Sequence, residues 1–177
     1  MGRPEKLTVT PLGALLRGLL AGSAGTGLMT AYQTLVQSGE SEGDEQPASD
    51  AERWQRAPAP ARVARRILEG VFQQQVAADR IPLLTNAMHW LYGTTLGGIY
   101  GLVQGTVRAN PVAGGLAFGA GAWALSYLQL VPMGIYEPPW RYPANTLAVD
   151  LSYHVVYGAG VAGAYDALER LVPAAAA

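Results

Sequence analysis

The chain has no cysteine. That excludes disulfides, thiol nucleophiles and cysteine-ligated metal centres. It is also poor in charge. Asp, Glu, Lys and Arg make up 14% of its 177 residues, against roughly 25% in ordinary soluble domains. Nearly half of those charges fall between Glu40 and Glu69, so the rest of the chain is almost uncharged. The net charge is -1, which offers no basic surface to nucleic acid. No P-loop and no His-Glu-x-x-His motif occurs, and the chain reads as non-enzymatic, without a cofactor or a metal.

What remains is apolar, glycine-rich and long in its runs. Four stretches reach the length of about 20 residues that crosses a bilayer: 12–36, 82–105, 111–136 and 145–168. A helix of a water-soluble protein needs a polar face, with charges recurring every three or four residues. Residues 81–106 carry no charge, and neither do residues 110–136. Such stretches have no ordinary water-facing side, so lipid is the expected solvent. The mean hydropathy of +0.13 is unremarkable because it averages these spans with a polar loop. Arg17 interrupts the first apolar run, which favours a retained helix over a cleaved leader.

The expected fold class is an all-α membrane protein, with four transmembrane helices as two tandem hairpins and one interfacial amphipathic helix. A tail, 1–11, precedes the first helix, and another, 169–177, follows the fourth. Residues 37–81 form a polar, acidic loop, expected to be disordered over 37–56. Within it, residues 62–78 place Val63, Ile67, Leu68, Val71 and Phe72 at helical spacing, with Arg62, Arg65, Arg66 and Glu69 on other faces. Such a helix either lies in the membrane interface or packs on its own bundle, and amphipathicity alone does not separate the two. The loop from Gly134 to Asn145 carries three prolines and the aromatics Tyr136, Trp140 and Tyr142, which suit the headgroup zone. Asn145 is expected to cap the last helix.

The second and fourth spans share a pattern. His89, Tyr92, Gly93, Gly97, Gly98 and Tyr100 are matched by His154, Tyr157, Gly158, Ala162, Gly163 and Tyr165. The first and third match more weakly, Gly18 and Gly22 against Gly115 and Gly119. This suggests an internal repeat of two parallel hairpins, related by a pseudo-two-fold axis along the membrane normal. Small residues four apart let helix backbones approach closely. Gly18, Gly22, Gly93, Gly97, Gly115, Gly119, Gly158 and Gly163 are therefore the expected packing residues.

Ionisable side chains inside a membrane usually face the protein and find a partner. Arg17 is near enough to a span end to snorkel, and Asp166 to reach water. That leaves His89, Asp150 and His154. Asp150 and His154 are four apart, hence on one helix face. The three are candidates for an intramembrane polar centre. It would either bind or pass protons, as histidine can near neutral pH, or fix helix packing through hydrogen bonds.

The Asn86-Ala-Met-His89-Trp90 start of the second span, the Pro138-Pro139-Trp140 loop and the Asp150-x-x-x-His154 pair resemble a family of small bacterial inner-membrane proteins, the YagU-like proteins of unknown function. The resemblance covers roughly residues 60–168. It implies a multi-pass inner-membrane protein, one member of that family being linked to acid resistance. The acidic stretch 37–50 departs from it. The expected function is accordingly a non-enzymatic inner-membrane protein related to the envelope or acid stress. The alternatives are a small proton-linked transporter or channel component, and a membrane-anchored assembly factor acting through loop 37–80. The expected partners are the lipid bilayer and a second copy or another membrane protein, with no nucleic acid.

Overall fold

The computed structural model describes residues 9–38 and 49–171. Over these residues the chain is all-helical, with no strand. The helices are α1 (Pro11–Gln37), α2 (Asp50–Arg56), α3 (Ala59–Gly70), α4 (Ile81–Val107), α5 (Pro111–Leu130) and α6 (Ala144–Leu171). Two short 3₁₀ turns, Ala78–Arg80 and Pro139–Arg141, lead into α4 and α6.

Local chemistry sets most of the boundaries. α1 starts at Pro11, where a missing N–H costs nothing, and Thr10 accepts a hydrogen bond from the Gly13 N–H at 3.1 Å. Asn110 caps α5 by accepting from Val112 and Ala113 at 3.0 and 3.1 Å. Between α4 and α5 the chain turns within three residues, with Arg108 left-handed at φ 52°. The Gln104 amide donates to the Ala109 carbonyl at 2.7 Å and ties that turn down.

Three expected boundaries need correction. The third long helix ends at Leu130, not at residue 136. A turn around Gly134, at φ 60°, follows, with the Ile135 and Tyr136 N–H groups folding back on the Leu130 carbonyl. Asn145 is inside the first turn of α6 rather than its cap, because the helix already begins at Ala144. The amphipathic segment is helical over Ala59–Gly70 rather than 62–78. Part of the stretch expected to be disordered is instead helix α2, closed by a capping box between Ser49 and Glu52. The rest of that stretch, 39–48, lies outside the described residues.

α1 runs antiparallel to α4 and to α6, and α5 antiparallel to α6. α1 is packed between α4 and α6, and α5 lies against the other side of α6. The fourth side, between α4 and α5, is wide. There the helices meet through side chains, such as the Tyr100 and Phe118 rings at 4.9 Å and Tyr92 donating to Gln129 at 2.8 Å. A two-fold relation between the hairpins would make the α1–α6 and α4–α5 sides alike. They differ because Gly25 and Gly160 let α1 and α6 close up, whereas Tyr and Phe hold α4 and α5 apart.

α2 and α3 fold under the start of α4. Trp54 and Ala61 are buried there with Ala57 and Ala78, and Val76 and Leu84 pack around them. The Arg65 guanidinium stacks 4.8 Å over the Trp54 ring, and Arg53 donates to the Ala78 carbonyl. Arg62 donates to the Ile135 carbonyl at 3.0 Å and the Gly134 carbonyl at 3.3 Å, pinning α3 to the α5–α6 turn. The face of α3 bearing Ala61 and Ala64 is thus packed on the protein. Its tip, with Val71 and Phe72, stays exposed.

Candidate functional site

The helix contacts are set by small residues. A methyl group at Gly22 would lie 2.8 Å from both the Gly93 oxygen and Gly97 Cα. One at Gly97 would collide with the Gly22 backbone, and one at Gly18 with the Gly97 carbonyl. On the other hairpin, a methyl group at Gly115 would sit 2.7 Å from Ala162 Cβ, and one at Gly158 would strike the Gly115 carbonyl. Gly119 rests on the His154 carbonyl, and Gly93 on the Thr26 hydroxyl. Seven of the eight expected packing glycines therefore lie against a neighbouring helix. Gly163 is not: nothing lies within 4 Å of a Cβ there. The buried neighbour Ala162 takes that place.

The contacts also reset the register of the weaker match. Gly97 meets Gly22 where Ala162 meets Gly115, and Gly93 meets Thr26 where Gly158 meets Gly119. Gly22 thus plays the part of Gly115, one turn away from the pairing of Gly18 with Gly115. Sequence could not see this, because a threonine hydroxyl and a glycine fill equivalent places.

Large polar side chains fill the middle. Tyr157 donates to the Gly93 carbonyl at 2.6 Å and Tyr165 to the Gly101 carbonyl at 3.3 Å, both across the bundle from α6 to α4. Between them Val161 is fully buried. These hydroxyls are committed to backbone carbonyls, with an apolar plug between them, so they do not form a continuous relay along the axis.

Asp150 lies nearer one end. Its Oδ2 accepts from Trp123 Nε1 at 2.9 Å and from the Tyr127 hydroxyl at 3.1 Å, so two α5 side chains hold one α6 carboxylate. His154 Nδ1 lies 2.9 Å from the Asp150 carbonyl and 3.7 Å from its Oδ1. Both oxygens are acceptors, so the proton belongs on Nδ1. Tyr136, in the turn beyond α5, packs 5.3 Å from the Tyr127 ring. Burial, with the Asp150 charge beside it, pushes its hydroxyl up to about 12, so it stays neutral. Sequence reasoning missed Trp123 and Tyr127. The available signal was their four-residue spacing, which puts an indole N–H and a phenol on one helix face.

The third expected member stands apart. His89, on α4, is within electrostatic reach of His154, yet its Nε2 is buried with no hydrogen-bond partner. The centre is therefore Asp150 with Trp123, Tyr127 and His154, and His89 flanks it. Among the described residues, no three His, Asp or Glu side chains converge as a metal site would require. One Gly-x-Ser-x-Gly string does occur, Gly39-Glu40-Ser41-Glu42-Gly43, outside the described residues. That motif needs a strand-to-helix turn, and the described residues form no strand.

Among the described residues one helix, Pro11–Gln37, is long and apolar enough to cross a membrane by length and composition. Comparison with known proteins brings no match: no family model, curated protein or solved structure corresponds to the chain.

Proposed function

We propose that this chain is a non-enzymatic, four-span membrane protein of the bacterial inner membrane, in which two related hairpins hold a polar centre at Asp150. The observation that carries the reading is an inverted distribution of side chains. Glycine, alanine and tyrosine occupy the core, while large aliphatic residues point outward along whole helices. Leu20 is 62% exposed, Leu91 63%, Val112 72% and Leu128 72%. Water does not tolerate apolar surface on that scale in a monomer, and lipid does.

The hydroxyls agree. Thr95 and Thr106, both exposed, each donate to the carbonyl four residues back, at 2.7 and 2.9 Å. A hydroxyl facing hydrocarbon has to satisfy itself this way. Phe72, 63% exposed, and Trp140, 82% exposed, then belong at the headgroups. The transporter alternative is weaker, because Tyr157, Val161 and Tyr165 close the axis. The envelope or acid-stress role rests on the YagU-like resemblance alone.

The absence of cysteine makes the test direct. Single cysteines at Leu20, Leu91 and Leu116 should resist a membrane-impermeant maleimide in native membranes. Cysteines at Val71 and Trp140 should react from one side. Free labelling at all five positions, with a monodisperse protein in buffer lacking detergent, would refute the reading.

A further inference from the structure

α3 is apolar on two opposite faces. Ala61 and Ala64 are buried on the side packed against the start of α4. Turned away from them, Val63, Arg66, Ile67, Gly70 and Val71 recur at i, i+3, i+4, i+7 and i+8, so they form one stripe. Arg66, Ile67, Gly70 and Val71 are exposed, and nothing lies within 4 Å of a Cβ at Gly70. Phe72, also exposed, extends the stripe. The backbone holds it there. The Val71 and Phe72 N–H groups donate to the Ile67 carbonyl at 2.9 and 3.4 Å, and Gln74 to the Leu68 carbonyl at 3.0 Å. Gln73, left-handed at φ 54°, closes the helix end.

The other charges of α3 are spent within the protein. Arg65 pairs with Glu69 at 2.9 Å and stacks on Trp54, and Arg62 holds the carbonyls of the α5–α6 turn. Arg66 makes no hydrogen bond or ion pair among the described residues. Arg56, at the end of α2, and Arg80, just before α4, are exposed and equally unpaired. Residues 50–80 carry six arginines against four carboxylates, a net charge of +2.

The outward face of a helix in water is polar. This one is apolar, with one long cation in its midst. That is the make-up of a helix at a membrane surface, where branched and aromatic side chains enter the headgroup boundary and a guanidinium reaches for phosphate. A zwitterionic headgroup brings its own ammonium to the arginines, whereas an anionic one brings only the opposite charge. A second copy would set arginine against arginine, so charge disfavours a symmetric contact.

We infer that the outward face of α3 docks an anionic phospholipid of the bilayer around the chain, its phosphate on Arg66 and its headgroup boundary against Ile67, Val71 and Phe72. This rests on the membrane reading above and adds the class of lipid.

The test uses the full chain, which keeps its acidic run at 40–45. It is delipidated in detergent and titrated with phosphatidylglycerol or phosphatidylcholine of equal acyl chains, bound lipid being counted by native mass spectrometry. The wild type should bind phosphatidylglycerol at least about fivefold tighter, the scale of one arginine at an anionic surface. Arg66→Gln should lose most of that preference, and Arg66→Lys should keep much of it. Arg170→Gln removes the same charge at the far end of the bundle and should bind as the wild type does. Phe72→Ser should weaken both lipids alike. Equal affinity of the wild type for the two lipids overturns the assignment. So does an undiminished preference in Arg66→Gln, or a loss as large in Arg170→Gln. A lipid-independent dimer that Ile67→Arg dissolves overturns it too, because a second copy then holds the face. A chain that passes the cysteine labelling yet shows no lipid preference fails here alone, and its four-span reading stands.

Discussion

The Tyr157 hydroxyl donates to the Gly93 carbonyl at 2.6 Å, joining two helices on opposite corners of the bundle. Gly93 already accepts its own helical hydrogen bond, so the tyrosine supplies a second one to the same oxygen. It can reach that oxygen because glycine leaves the α4 surface bare. Tyr157→Phe should lower stability by about 0.6–1.5 kcal/mol, the range from interhelical membrane hydrogen bonds to typical buried ones. Unfolding in mixed micelles measures this. Tyr165→Phe removes a longer bond, 3.3 Å, and should cost less. Equal losses would mean that the ring, rather than the hydroxyl, is the stabilising part.

Gly97 and Gly163 make a matched pair for substitution. A side chain at Gly97 meets the Gly22 backbone, which cannot swing aside. Gly97→Ala should therefore push α1 from α4 and cost about 1–3 kcal/mol, as overpacking does. Gly163→Ala meets open space and should be neutral or slightly stabilising, since alanine favours helix over glycine. Thermal midpoints of the two variants check the contrast.

Arg62 holds α3 to the α5–α6 turn through two carbonyls. Arg62→Ala should free α3 without unfolding the four long helices. Hydrogen exchange should rise over residues 59–80, and stay unchanged over α4. Arg62→Lys should restore only part of the protection, because an ammonium lacks the planar fork that spans two acceptors. If exchange over 59–80 is unaltered, burial of Trp54 and Ala61 alone fixes α3.

How far the chain could be read without coordinates varies from element to element. α4 and α5 were legible because charge is missing over continuous stretches, and α1 and α6 because only a few charges break their apolar runs. The close-packing glycines were legible too, since their four-residue spacing is a property of one helix. Gly163 shows the limit: it continues the stripe by matching Gly98, yet on α6 it faces outward. Trp123 and Tyr127 were missed for a related reason. Nothing local to α5 says that a carboxylate on α6 stands opposite.

The order of residues along the chain is enough to specify its long helices, its apolar stretches, its small-residue stripes and the shared face of Asp150 and His154. All of these follow from local periodicity, which a 3.6-residue helix turns into geometry without outside help. Which stripes meet is set by the packing of the helices on one another. Packing set Gly22 against Gly97 and Gly115 against Ala162, drew α1 to α6 while α4 and α5 stayed apart, and gave Asp150 its two donors. Those outcomes depend on how side-chain volumes on separate helices fit together. Gly25 and Gly160 remove a barrier on one side of the bundle, and Tyr100 and Phe118 build one on the other.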